Sequence, residues 1–151
     1  MSKSMREKLD NLRQRKKKNY QNIVYYSYKM SVHEHINTHE LKRLEHSIKS
    51  LREFNNEICV YLFCDDHNFI SPDFCSNYDV NFRSFVDGFD HDMLSAWSIH
   101  RWYNLKYFEG RSCNILYLDS DTIFYDDPQY LFDTYCHRVV YGREKFGFRH
   151  D

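Results

Sequence analysis

Short β-branched and aromatic runs recur between stretches of helical spacing, and this alternation constrains the fold more than any other feature of the chain. Residues 23–28 (Ile-Val-Tyr-Tyr-Ser-Tyr) and residues 58–63 (Ile-Cys-Val-Tyr-Leu-Phe) lack a polar alternation and read as strands buried on both faces. Residues 115–118 form a third such strand, and residues 80–86 a weaker one in which Val80, Phe82 and, less regularly, Phe85 recur. Between the first two runs, Asn37 and Glu40 have the spacing of a capping box, and Leu41, Leu44, Ile48 and Leu51 follow at helical spacing up to Asn55-Asn56. Residues 66–77, with Ser71-Pro72, read as a loop, and Asp87-Gly88 as a turn. A second helix is predicted over residues 92–108, closed by Gly110. After the strand at 115–118, residues 122–125 extend it as a second piece. Asp127-Pro128 then caps a short helix over 129–135, and residues 138–141 are a last strand candidate. This order predicts an α/β fold with a mostly parallel sheet and helices on both faces.

A chain of 151 residues with 42% hydrophobic and 18% aromatic residues can bury a core of its own and is not a disordered segment. It divides into a basic polar arm or helix over residues 1–21, which contains Arg15-Lys16-Lys17-Lys18, and a single domain over residues 22–151. The arm reads as solvated; the alternative is a patch that touches an anionic partner. The net charge of -1 gives no electrostatic basis for a nucleic-acid partner. The 5 cysteines are odd in number and show no CxxC spacing, which fits core thiols in a reducing compartment. With no apolar run near the ~20 residues of a membrane span and no hydrophobic leader, the expected location is cytoplasmic.

Ligands of an open parallel sheet sit outside the carboxyl ends of its strands. Three strands end there in polar groups: Ser27-Tyr28, Asp65-Asp66 and Asp119-Ser120-Asp121. The last delivers two carboxylates one residue apart, separated by a serine small enough to let a ligand approach. Two acids so close repel unless a cation neutralises them or one pKa rises. Hard oxygen donors suit Mg²⁺ or Mn²⁺ shared with substrate phosphates. The competing reading is an Asp-Ser-Asp turn that caps backbone groups. On the preceding helix, Leu94, Trp97, Leu105 and Phe108 form an apolar stripe, and Arg101 falls on it. A cation there needs an anionic partner: a diphosphate, which a guanidinium grips as a fork, or a structural acid. His33-Glu34-His35 reads as solvated loop and is not HExxH; His91, His100 and His137 have no spacing partner. With 4 glycines there is no Gly-rich phosphate loop, and neither GxSxG nor a Cys/His nucleophile signature is present.

Residues 114–124 (Asn-Ile-Leu-Tyr-Leu-Asp-Ser-Asp-Thr-Ile-Phe), the Asp127-Pro128 helix start and the Arg101 helix together resemble the GT-A glycosyltransferases. The nearest resemblance is to glycosyltransferase family 8, the group of glycogenin and the bacterial lipopolysaccharide galactosyltransferases. The resemblance implies a Rossmann-like GT-A fold in which Asp119 and Asp121 hold Mn²⁺ or Mg²⁺ on the diphosphate of a nucleotide sugar, with UDP-sugars the usual donors. Arg101 would contact the diphosphate or sugar, Tyr26, Ser27, Tyr28 and Asp65 would lie near the nucleoside, and Ser120 would line the approach. The acceptor, whether glycan, protein or lipid, is not specified by it. The sequence departs from the family in two places. Ser27-Tyr28-Lys29 stands where those enzymes carry an aspartate after the first strand. Only 30 residues follow Asp121, so His150 comes too soon to be their third metal ligand. The chain is therefore expected to be the N-terminal nucleotide-binding half, either a truncated fragment or a minimal enzyme, and a fragment would have an open sheet edge that favours self-association. Two other readings are a haloacid-dehalogenase-like phosphatase with Asp119 as nucleophile, disfavoured by Ile123 at the fourth position after it, and a non-catalytic module on the same fold.

Overall fold

The computed structural model describes residues 4–8, 20–93 and 96–135, without the side chains of residues 96 and 97. The basic run at 15–18, Leu94, the Trp97 side chain, Cys136, His137, His150 and the strand candidate at 138–141 lie outside them. The elements in chain order are β1 (Gln21–Tyr28), α1 (Glu34–Phe54), β2 (Cys59–Cys64), α2 (Pro72–Tyr78), β3 (Val80–Arg83), α3 (Ala96–Tyr103), a 3₁₀ helix (Asn104–Phe108), β4 (Cys113–Tyr117) and α4 (Gln129–Tyr135). The four strands are parallel throughout and ordered β3-β2-β1-β4. This is the parallel α/β sheet expected from the alternation of runs, and its order is compatible with a Rossmann-like fold.

β1 lies between β2 and β4, with Ile23 opposite both Cys59 and Ile115 and Tyr25 opposite both Tyr61 and Tyr117. Successive side chains leave opposite faces of a strand, so β1 feeds two cores. Val24, Tyr26 and Tyr28 join Val60, Leu62, Leu44, Ile48 and Leu51 on the α1 side. Ile23 and Tyr25 join Tyr61, Phe63 and Phe108 on the other. That second core is largely aromatic. Tyr25 meets Phe63 and Phe108 edge-on with ring centroids 5.5 and 6.0 Å apart, and Phe108 stands edge-on to Tyr61 at 5.0 Å.

α1 begins a turn earlier than the capping-box spacing predicts. Its N-cap position is His33, which makes no side-chain cap, and Glu34 and His35 lie in the first turn rather than in a loop. Asn37 is buried within the helix. Its Oδ1 accepts from the Tyr28 hydroxyl at 2.6 Å and from the Ser31 amide at 2.8 Å, and its Nδ2 donates to the Ser31 carbonyl at 2.9 Å. The asparagine thus fastens the β1–α1 loop, while the Ile36 and Asn37 amides donate to the His33 carbonyl at 3.1 and 3.4 Å. Residues 72–77, read from sequence as loop, form α2 together with Tyr78. Ser71 Oγ accepts from the Phe74 amide at 3.1 Å, and Pro72 opens the helix. The single helix predicted over 92–108 is instead α3 followed by a 3₁₀ helix, because Asn104 turns its side chain inward. Its Oδ1 accepts from the Val86 amide at 2.9 Å and its Nδ2 donates to Ser27 Oγ at 3.2 Å. Gly110 follows with φ +78, as a residue past a helix end requires.

Arg52 ties the amino ends of β2 and β3 to the last turn of α1. Its guanidinium donates to the carbonyls of Tyr78 (2.8 Å), Asn55 (3.2 Å), Ile58 (2.7 Å) and Asp79 (3.0 Å). Burial draws its pKa down and the neighbouring Asp79 opposes that shift, so the group stays a cation. Arg52→Met keeps the stem but strands these acceptors, and should cost about 3 kcal/mol in urea denaturation; a loss below about 1 kcal/mol would contradict this role.

Candidate functional site

The strand order reverses at β1: β2 and β3 are added on one side and β4 on the other. A crevice opens above such a reversal, at the carboxyl ends of the strands. Here it holds a cavity of about 240 Å³, lined by Tyr26, Ser27 and Tyr28 of β1, by Glu40, Arg43 and Leu44 of α1, and by Tyr117 through Asp121.

The β4 chain prolongs its pairing by one residue, with the Leu118 amide donating to the Tyr25 carbonyl at 3.0 Å. It then turns: the Thr122 amide donates to the Asp119 carbonyl at 3.1 Å. Residues 122–125 are not a further strand piece. The Phe124 amide instead donates to Ser50 Oγ at 2.9 Å and its side chain packs into the α1 core, which draws the chain behind the sheet. The turn leaves Asp119 and Asp121 exposed on the crevice side and Ser120 between them half-buried.

Arg101 comes from α3 and reaches the same corner. Its Nη1 lies 3.9 Å from Asp119 Oδ1 and donates to the Tyr117 hydroxyl at 3.4 Å, while Nε donates to the Ser98 carbonyl at 2.9 Å. The Tyr117 hydroxyl donates to Asp119 Oδ1 at 3.1 Å, so it links the guanidinium to the acid. Burial first, then the neighbouring Asp119, raises the Tyr117 pKa and keeps the phenol protonated as a donor. Of the two anions expected for Arg101, the structure therefore provides an acid, and it is the site's own. The pair is open, with the arginine side chain 32% and the aspartate side chain 68% exposed. Such exposed pairs contribute under about 1 kcal/mol, so a stronger anion can take the guanidinium over.

β1 sets the position of α3. The Tyr25 hydroxyl donates to the Arg101 carbonyl at 2.7 Å, and Ser27 Oγ lies 2.7 Å from His100 Nδ1. Ser27 thus lines the cavity and also anchors α3. The hydroxyls of Tyr26 and Tyr28 are committed to α1, to Ser47 and Asn37 respectively. Burial, followed by the negative charge of Glu40, pushes the Tyr28 phenol up to about 12. Asp65 lies beside the cavity and not in its lining. Its Oδ1 accepts from the Met30 amide at 2.8 Å, and its Oδ2 is 3.8 Å from Lys29 Nζ and 3.7 Å from His91 Nδ1. It braces the two loops that flank the carboxyl end of the sheet.

Sequence reasoning did not single out Tyr117, Glu40 or Arg43 for the site. Tyr117 is visible in retrospect, two residues before Asp119 and therefore on the same strand face. Glu40 reads from sequence as part of a capping box. The described residues contain no group of three or more His, Cys, Asp or Glu able to hold a metal. Two open carboxylates do not make a closed zinc centre. They do fit a hard cation whose remaining ligands are phosphate oxygens and water. Cys59, Cys64, Cys75 and Cys113 are free thiols, and burial pushes Cys64 up to about 12, which makes it unreactive.

No family profile, curated protein or solved structure matches this chain. No helix among the described residues is long and apolar enough to cross a membrane.

Ser27→Ala removes the oxygen between His100 and Asn104 and leaves buried Asn104 short of an acceptor. It should cost about 2 kcal/mol in chemical denaturation, and a stability equal to the parent's would mean that β1 does not hold α3 through this group.

Proposed function

We propose that this chain is the donor-binding domain of a metal-dependent glycosyltransferase that takes a nucleotide diphosphate sugar, with a UDP-sugar favoured. One observation carries the reading: Asp119 and Asp121 stand together at the strand-order reversal, over a cavity, with the Arg101 guanidinium 3.9 Å from Asp119. A diphosphate needs positive charge on more than one side, and this corner can supply it. Asp119 and Asp121 would hold Mn²⁺ or Mg²⁺, which when bound neutralises charge on the departing nucleoside diphosphate. Arg101 leaves its weak pair with Asp119 and forks onto the phosphates. The half-buried Ser120 allows the ligand to approach the backbone between the acids. Ser27 and the rings of Tyr26 and Tyr28 form the floor under the nucleoside, and Asp65 keeps the adjoining loops in place. The resemblance of residues 114–133 to family 8 glycosyltransferases supports the same ligand class.

The test is a thermal-shift series with nucleoside diphosphates, with and without Mn²⁺. UDP at 100 times its Kd should stabilise the protein by about 2.7 kcal/mol when Mn²⁺ is present. Asp119→Ala and Asp121→Ala should each remove that gain while leaving the unliganded Tm near the parent's, since both side chains are exposed. Equal nucleotide binding in the presence of a chelator contradicts the proposal.

A further inference from the structure

The cavity has a second charged wall, and the acid pair does not account for it. Glu40 in the second turn of α1 and Arg43 in the third line the same cavity as residues 117–121. Arg43 Nη1 donates to Glu40 Oε1 at 3.4 Å. The Glu40 side chain is only 19% exposed, whereas that of Arg43 is 46% exposed. Both line the cavity, with the carboxylate the more buried member and the arginine positioned to fix it. At about 240 Å³ the cavity is smaller than the ~300–1,000 Å³ of sites that enclose a whole ligand. It takes one part of a nucleotide sugar, and the rest lies in the open crevice.

Charge decides which part. A phosphate gains little from the Glu40–Arg43 pair, whose charges offset, and is drawn instead to the Asp119 corner, to Arg101 and a cation on Asp119 and Asp121. What faces Glu40 must be neutral and rich in hydrogen-bond donors, because a carboxylate only accepts. The ring hydroxyls of a sugar have that character, and paired hydroxyls can engage both carboxylate oxygens. We infer that Glu40, oriented by Arg43, accepts hydrogen bonds from sugar-ring hydroxyls of the nucleotide sugar. This rests on the nucleotide-sugar reading above. The hydroxyls belong either to the ribose or to the transferred hexose, and both present the same chemistry.

Calorimetric titration of the full chain with Mn²⁺ and three probes separates the sources: UDP, 2′,3′-dideoxy-UDP and UDP-glucose. If the ribose faces Glu40, Glu40→Ala weakens UDP roughly tenfold or more, as loss of a bond to a charged acceptor does, and leaves dideoxy-UDP unchanged. If the hexose faces it, UDP-glucose weakens by the same factor and UDP does not. Either pattern supports the inference, and Arg43→Ala should reproduce it in weaker form. Glu40→Gln, nearly isosteric, controls for folding and should show a partial loss with the same selectivity. Unchanged or tighter binding of all three probes by Glu40→Ala, or an equal loss on all three, overturns the inference while nucleotide binding by the parent stands. If the parent binds none of the probes, the donor-site reading and this inference fall together.

Discussion

A strand paired along both edges and buried on both faces has almost no freedom in its backbone, and β1 is in that position. Its register with β2 and β4 is fixed residue by residue, since a slip of one would move every side chain to the opposite core. Tyr26 would leave the α1 side, and Tyr25 would leave the aromatic cluster around Phe63 and Phe108. The carboxyl end of β1 is therefore a rigid reference. α1 is hung from it through Tyr28 and Asn37, α3 through Tyr25 and Ser27, and the start of the Asp119 turn through the Tyr25 carbonyl. Side chains of α1, α3 and the Asp119 turn gather at one end of the sheet because each is referred to the same strand.

The polar groups at that cavity are unevenly distributed. Those that support the site are buried and satisfied, and the described residues leave no buried side-chain donor or acceptor without a partner. Those that face the crevice are open or only weakly paired: Asp119, Asp121, and Arg101 with its long contact to Asp119. Weak pairs among exposed groups cost little to exchange, whereas the network beneath, around Ser27, His100 and Asn104, is expensive to disturb. A rigid frame carrying exchangeable charges suits the capture of an anionic ligand. On this account the carboxylates, Arg101 and Glu40 discriminate between the phosphate and sugar parts of one molecule.

The strands were legible because burial on both faces leaves an unbroken apolar run, as in Ile23 to Tyr26 and Val60 to Phe63, that no helix of that length would need. The acid pair was legible for a related reason: polar residues directly after such a run must lie at a strand end. What escaped sequence reading depended on side chains that serve distant partners. Asn37 looks like a helix cap, yet its amide is spent on Tyr28 and Ser31. Asn104 looks like an ordinary helix residue, yet it bonds the Val86 amide and ends the α-helical geometry. α2 is only 7 residues long, with Phe74 its one buried side chain, so it carries no period to detect, although Ser71-Pro72 is a proper helix start. Glu40 and Arg43 join the site only because the early turns of α1 pack beside the carboxyl ends of β1 and β4, a fact of tertiary packing.

The central claim is that the Asp119-Ser120-Asp121 corner is a cation–diphosphate site, and paramagnetic broadening by Mn²⁺ tests it most directly. In a ¹⁵N-resolved NMR spectrum recorded with UDP, substoichiometric Mn²⁺ should broaden first the amides of residues 118–122, then those of Ser27 and Tyr28 across the crevice. Amides of α2 and β3, at the far edge of the sheet, should stay sharp. Broadening centred elsewhere, for example around Asp65 and His91, or unchanged spectra at saturating UDP, would contradict the account.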